Sequence, residues 1–291
     1  MTMPALGKRA SPRHSLSPGG RGQGEGGRLH GTFQRLAQKR EKALIAYIMA
    51  GDPSLEDTEA YVLQLAEAGA DIIELGVPFS DPIADGPVIQ AAADRALRAG
   101  TTLKKILETV RSLRRKTPVP LVLMTYYNTI LKYGEAAFCR DAGNAGVDGM
   151  IVPDLPPDEA DVLRAAAQAE GLDLIFLLAP TSHGKRQAAI ARLSQGFIYY
   201  VSLTGITGAK LMDTRDVEKK VKEIRQYTQT PVAVGFGIAT PEDAREVARF
   251  AEGVIVGSAL VKIIASDGDR NVVANRLRTF TSSLKAATKT A

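Results

Sequence analysis

Glu74 and Asp85 are the residues best suited to chemistry, because they bracket a short loop between an apolar run and a helix start. The stretch reads DIIELGVPFSDPIADGP from Asp71 to Pro87. A carboxylate at the end of a run such as Ile72-Ile73 is costly to bury unless it has a partner or moves protons. Either acid taken singly is more simply a capping or turn residue. The pair on one stiffened loop favours chemistry. Proline in Val77-Pro78, Asp81-Pro82 and Gly86-Pro87 restricts the backbone on both sides of the acids, and Gly86-Pro87 has the form of a helix start. The two carboxylates then converge on one rim as an acid–base pair.

Other chemistries lack their residues. Cys139 is the single cysteine, which leaves no intrachain disulfide and no cysteine metal cluster. From residue 31 onward His183 is the only histidine, so no metal site is expected and proton transfer falls to carboxylates, tyrosines or lysines. His183 follows Pro180-Thr181-Ser182 with no acid or nucleophile beside it and reads as a surface residue. Asp154, in Val152-Pro153-Asp154-Leu155-Pro156-Pro157, fits a helix cap and a surface contact equally.

Glycines supply a second kind of site. Gly235-Phe236-Gly237 and Gly257-Ser258 follow two late apolar runs, and Thr204-Gly205-Ile206-Thr207-Gly208 follows an earlier one. Each is an ordinary turn when read alone; together they point to a phosphate held by backbone N–H groups. The segment from Leu203 to about Arg215 has the length and glycines of a lid, or of a plain surface loop. Tyr47, Tyr126 and Tyr199 fall at or near strand ends, either lining a mouth or serving as core aromatics.

The elements that must position these groups alternate regularly. Apolar runs at 43–50, 71–75, 119–124, 148–152, 173–178, 197–201, 231–235 and 253–256 are separated mostly by helical patterns. They are continuous rather than alternating, as parallel strands covered on both faces are. A doubly wound open sheet reads the same way, but eight units in this length favour a (β/α)8 TIM barrel spanning residues 31–291 as one domain. A short amphipathic helix is predicted over 33–42 and a terminal one over 269–288. Ser54 is placed to cap the second helix, and Gly69, Gly146 and Gly171 to close helices in left-handed conformations.

The formal charge of +5 is concentrated at one end. Residues 1–30 carry Lys8, Arg9, Arg13, Arg21 and Arg28 against Glu25, a net +4, so the body is near neutral. That segment is rich in glycine and poor in apolar periodicity, and is expected to be a disordered extension. It has no apolar signal core, and no run reaches membrane-span length, so a soluble cytoplasmic protein is expected. No nucleic-acid or membrane partner is expected.

Read together, ALIAYIMAGDP (43–53), DIIELGVPFSDPIADGP (71–87), IVPDLP (151–156), YYVSLTGITG (199–208), VGFGIATP (234–241) and VIVGSALVKII (254–264) closely resemble the tryptophan synthase alpha subunit family. The resemblance implies a lyase that splits indole-3-glycerol phosphate into indole and glyceraldehyde 3-phosphate. It implies that Glu74 moves the protons, that Asp85 bonds the indole N–H, and that Tyr199 helps position substrate and Glu74. Thr207 matches the lid threonine that orders Asp85, and Gly208, Gly237, Gly257 and Ser258 match the phosphate site. Ile89, Leu123, Leu177 and Phe236 become indole walls, with Tyr47 and Tyr126 at the substrate mouth.

No cofactor is expected in this chain; pyridoxal phosphate belongs to a beta-subunit partner in an alpha2beta2 assembly, faced by the loops of Asp81 and Pro156. Another phosphate-sugar barrel enzyme is the first alternative, disfavoured by the Glu74 to Asp85 spacing and TGITG. A regulatory subunit with little turnover of its own is the second.

Overall fold

The structure, a computed structural model, describes residues 27–201, 213–235 and 237–289. Its strands are β1 (Ala43–Met49), β2 (Ile72–Gly76), β3 (Leu121–Met124), β4 (Gly149–Ile151), β5 (Asp173–Ile175), β6 (Leu177–Leu178), β7 (Ile198–Val201), β8 (Val232–Gly235) and β9 (Gly253–Val256). Its helices are α1 (Arg28–Lys39), α2 (Leu55–Glu67), α3 (Pro87–Arg98), α4 (Leu103–Arg114), α5 (Tyr127–Tyr133), α6 (Glu135–Ala145), α7 (Asp161–Ala169), α8 (Gly184–Leu193), α9 (Thr214–Ile224), α10 (Pro241–Ala248), α11 (Ser258–Ile264) and α12 (Arg270–Lys289).

The strands form one parallel sheet in the order β5-β4-β3-β2-β1-β9-β8-β7-β6. Its two ends, β5 and β6, are halves of the single run 173–178, separated only by Phe176, whose carbonyl accepts the Tyr199 N–H at 3.2 Å. The sheet therefore meets itself and forms the expected TIM barrel.

Strand alternation divides the apolar residues between two cores. Leu44, Ala46, Ile48, Ile73 and Leu75 pack outward against the helices, whereas Ala43, Ile45, Ile72 and Val122 fill the barrel. Both faces are thus apolar, which explains the unbroken hydrophobic runs. Glu74 shares the inward parity of Ile72, and that parity sends its carboxyl into the barrel rather than into the helical layer.

Local signals act as their chemistry demands. The Ser54 hydroxyl accepts the Asp57 N–H at 3.0 Å to cap α2, and α3 begins at Pro87. Gly69, Gly146 and Gly171 all take positive φ, at 105°, 95° and 64°. No helix of the described residues is long and apolar enough to cross a membrane.

The first helix differs from its expected span. It starts at Arg28 and ends at Lys39, before the left-handed Arg40, so three residues assigned to the extension are helical. Leu29, Phe33 and Leu36 lie on one helical face and, with Phe197, pack against the inward residues of the strands, closing the N-terminal end of the barrel. Arg28 also bonds the buried Asp148 at 2.7 Å, a carboxylate shared with Arg114. The neighbouring glycines hid this helix start in the sequence. Removing residues 1–26 is accordingly expected to leave the melting temperature and the catalytic rate unchanged. Removing 1–29 takes away the fully buried Leu29 and should cost at least ~2 kcal/mol in a denaturant titration. Equal stability of the two truncations would contradict the plugging role.

Candidate active site

Glu74 lies near the C-terminal end of β2, directly opposite Tyr47 on β1 and Val122 on β3. It is fully buried, and neither carboxyl oxygen has a hydrogen-bond partner among the described residues. Such a group resists ionisation, and burial pushes its pKa up to about 8. At neutral pH it carries a proton that no described neighbour holds.

Asp85 sits on the loop that links β2 to α3, half-buried, and burial raises its pKa to about 6. The Tyr126 hydroxyl, which donates to it at 3.1 Å, pulls the value down. The same hydroxyl accepts the Ala84 N–H at 2.9 Å, and the Tyr126 ring stacks on Phe79 at 5.1 Å. The two carboxyls therefore differ at pH 7, one protonated and the other largely ionised. A difference of this kind gives two like groups different tasks, one able to deliver a proton and the other to balance a positive charge.

Tyr47 and Tyr199 complete the cluster. Both are buried, and their hydroxyls are held neutral by burial and by the nearby Glu74 and Asp85 carboxyls. Glycine gives each hydroxyl its place. A Cβ on Gly76 would lie 2.2 Å from the Tyr47 oxygen, and one on Gly235 would lie 2.5 Å from that of Tyr199.

The expected indole walls divide. Ile89 on α3 packs with Tyr47 and Met49, and Leu177 faces the barrel interior. Leu123 does not line the mouth: it lies on the helix-facing side of β3 with Leu121. Its neighbour Met124 has the inward parity and packs with both Tyr47 and the barrel core, so it takes the position expected of Leu123. Once the pairing with Glu74 sets Val122 inward, a step of two along the strand leads to Met124. Phe236, Thr207 and Gly208 lie outside the described residues.

The phosphate candidates leave the barrel side by side. Val234 pairs with Val254 across β8 and β9, so the two strands emerge at the same level and Gly237 and Gly257 follow them. Ser258 is the exposed first residue of α11. Ala46 pairs with Val256, and a Cβ on Gly257 would touch the Tyr47 ring at 3.4 Å, which sets this glycine beside the acid cluster.

A family model described as tryptophan synthase alpha chain matches residues 33–289. The chain belongs to the tryptophan synthase alpha chain family. It is 53% identical over 263 residues to the alpha chain of Geotalea uraniireducens, covering 90% of this chain and 98% of that one. The Citrifermentans bemidjiense alpha chain is 57% identical over 235 residues, covering 81% and 88%. Among solved structures, the alpha subunit of Legionella pneumophila superposes with a TM-score of 0.83 at 38% identity, covering 91% of this chain and 99% of that chain. Tryptophan synthase of Mycobacterium tuberculosis gives 0.84 at 39% identity, with the same coverage.

In this alpha chain the loops after β2 and β4 carry Asp81 and Pro156 at the same end of the barrel as the acids. Asp81 is exposed and takes a hydrogen bond from the Ser80 hydroxyl, next to Ile83, an apolar side chain 77% exposed. Pro156 is half-buried, and Asp154 beside it accepts the Tyr127 N–H at 2.9 Å, capping α5 from the neighbouring loop. His183 is exposed, as expected, with Nδ1 3.2 Å from the Lys220 Nζ. A groove of about 840 Å3 lies at the opposite end, beneath α1, α2 and α12. Its Lys285 is paired with Asp71 and Glu41, so volume alone does not mark the chemistry.

Proposed function

We propose that this chain is the lyase of tryptophan biosynthesis that cleaves indole-3-glycerol phosphate to indole and glyceraldehyde 3-phosphate. The observation that carries the mechanism is the buried, protonated Glu74, without a hydrogen-bond partner among the described residues, facing the same mouth as a largely ionised Asp85. Cleavage requires a proton on the indole ring carbon that bears the side chain. It then requires loss of the proton from the adjacent hydroxyl, so that the carbon–carbon bond breaks and its electrons return to the ring. Glu74 delivers the first proton and, now a carboxylate, takes the second. Asp85 accepts the indole N–H and offsets the positive charge that ring protonation creates. Tyr199 orients substrate and Glu74; Tyr47, Ile89, Met124 and Leu177 enclose the ring, with Phe236 as a further wall and Thr207 as the lid contact to Asp85.

Gly237, Gly257 and Ser258, with Gly208, hold the substrate phosphate. Gly257→Asp tests this more cleanly than a change at Gly237, whose φ of 76° strains any side chain. The Cβ of an aspartate at 257 meets the Tyr47 ring only at 3.4 Å, an ordinary contact, but its carboxylate puts an anion where the phosphate binds, so KM is expected to rise at least about tenfold with kcat less affected. An unchanged KM in steady-state kinetics would remove Gly257 from the site.

The partner is a tryptophan synthase beta subunit in an alpha2beta2 complex in the cytoplasm, reached through the loops of Asp81 and Pro156. Pyridoxal phosphate serves that subunit, and the steps assigned here need only side chains of this chain. Incubating the protein with indole-3-glycerol phosphate, alone and with a beta subunit, tests the function. Indole release by the isolated chain is expected, faster with the partner. Release only with the partner would favour the regulatory reading, and none in either case would overturn the proposal.

A further inference from the structure

Tyr126, just after β3 and immediately before α5, is among the residues expected to line the substrate mouth, yet its side chain is committed elsewhere. It is 5% exposed, its ring is stacked on Phe79 with planes 25° apart, and its hydroxyl makes two hydrogen bonds within the loop after β2. The direction of those bonds is fixed by chemistry. The Ala84 N–H can only donate, so the hydroxyl accepts there and its own proton points to Asp85 Oδ2. A donor aimed at a carboxyl favours its ionised form. The backbone around Tyr126 is held in turn: the next residue's N–H is bonded by Asp154, on the loop after β4.

We propose that Tyr126 is a positioning residue for Asp85, fixing both the place and the ionised state of that carboxylate, and that Asp154 anchors Tyr126 from the neighbouring loop. The inference rests on the assignment of Asp85 as the group that bonds the indole N–H. Without the Tyr126 hydroxyl, nothing described opposes the burial that favours a neutral Asp85, and the Ala84 N–H loses its acceptor. The loop bearing Asp85 would keep the Val77 N–H bond to the Met124 carbonyl, at 2.8 Å, and the Phe79 stack, but would lose the tie next to Asp85 itself. Asp154 also belongs to the loop of Pro156, which links Asp85 mechanically to a surface assigned to the partner.

The test is Tyr126→Phe, which keeps the ring and its stack and removes only the oxygen. Turnover of indole-3-glycerol phosphate is expected to fall about tenfold with KM little changed, as for loss of one hydrogen bond to a charged group. The acidic limb of the kcat/KM profile should move to higher pH, because Asp85 holds its proton longer. In an Asp85→Asn background, Tyr126→Phe should have almost no further effect on turnover, since the hydroxyl acts through that carboxylate. Asp154→Asn should give a smaller drop of the same kind, rescued by no change in ionic strength. A pH profile unmoved in Tyr126→Phe, or losses that simply multiply in the double variant, would overturn the inference. If Asp85→Asn itself keeps full activity, the assignment of Asp85 fails instead, so the two failures are distinguishable.

Discussion

Glu74→Gln is expected to reduce indole release by about a hundredfold or more while making the folded protein more stable at neutral and alkaline pH. The kinetic loss follows because an amide has the shape of the carboxyl but cannot exchange the proton, and positioned acid–base groups contribute on this scale. The stability gain has the opposite sign because the folded pKa, about 8, is raised above the ordinary 4.5. Between those values the folded chain retains a proton that the unfolded chain releases, so stability declines as pH rises through that window. At pH 7 the cost is on the order of 3 kcal/mol. Glutamine removes it without changing much else, since a neutral acid and an amide are both unpartnered there. Urea titrations of the two proteins should coincide near pH 4 and diverge up to pH 8. Near-normal turnover, or parallel stability curves, would refute the role and the environment assigned to Glu74.

Asp85→Asn is expected to lower kcat by about a hundredfold with little effect on folding, since the amide oxygen can still accept the Tyr126 hydroxyl but carries no charge to balance the protonated indole. The pH dependence separates this variant from the first. In the unmodified protein, kcat/KM should rise as Asp85 ionises near pH 6 and fall as Glu74 loses its proton near pH 8. Asp85→Asn should lose the acidic limb and keep the alkaline one. A residual activity that still titrates near pH 6 would assign that limb to another group.

Much of this was legible in the sequence. Strand positions were fixed by unbroken apolar runs bounded by Gly and Pro, because parallel strands covered on both sides need no polar alternation. The loop that carries Asp85 was legible because proline and glycine act locally, through φ and sterics, and the Ser54 cap for the same reason. Family motifs named the acids. The start of α1 was hidden because Leu29 gains its meaning only from the far end of the barrel, where it packs with Phe197.

Tertiary structure alone decided which way each side chain points and what surrounds it. Leu123 and Met124 are neighbours of similar size in one strand, and only the pairing of β3 with β2 fixes which enters the mouth. Tyr126 reads as one more mouth tyrosine until the fold brings it against Ala84 and Asp85, residues more than 40 positions away. The difference between the two carboxyls is of the same kind. Sequence supplied both acids, but desolvation and a single hydroxyl donor set their protonation, and these depend on atoms that only the closed barrel brings together.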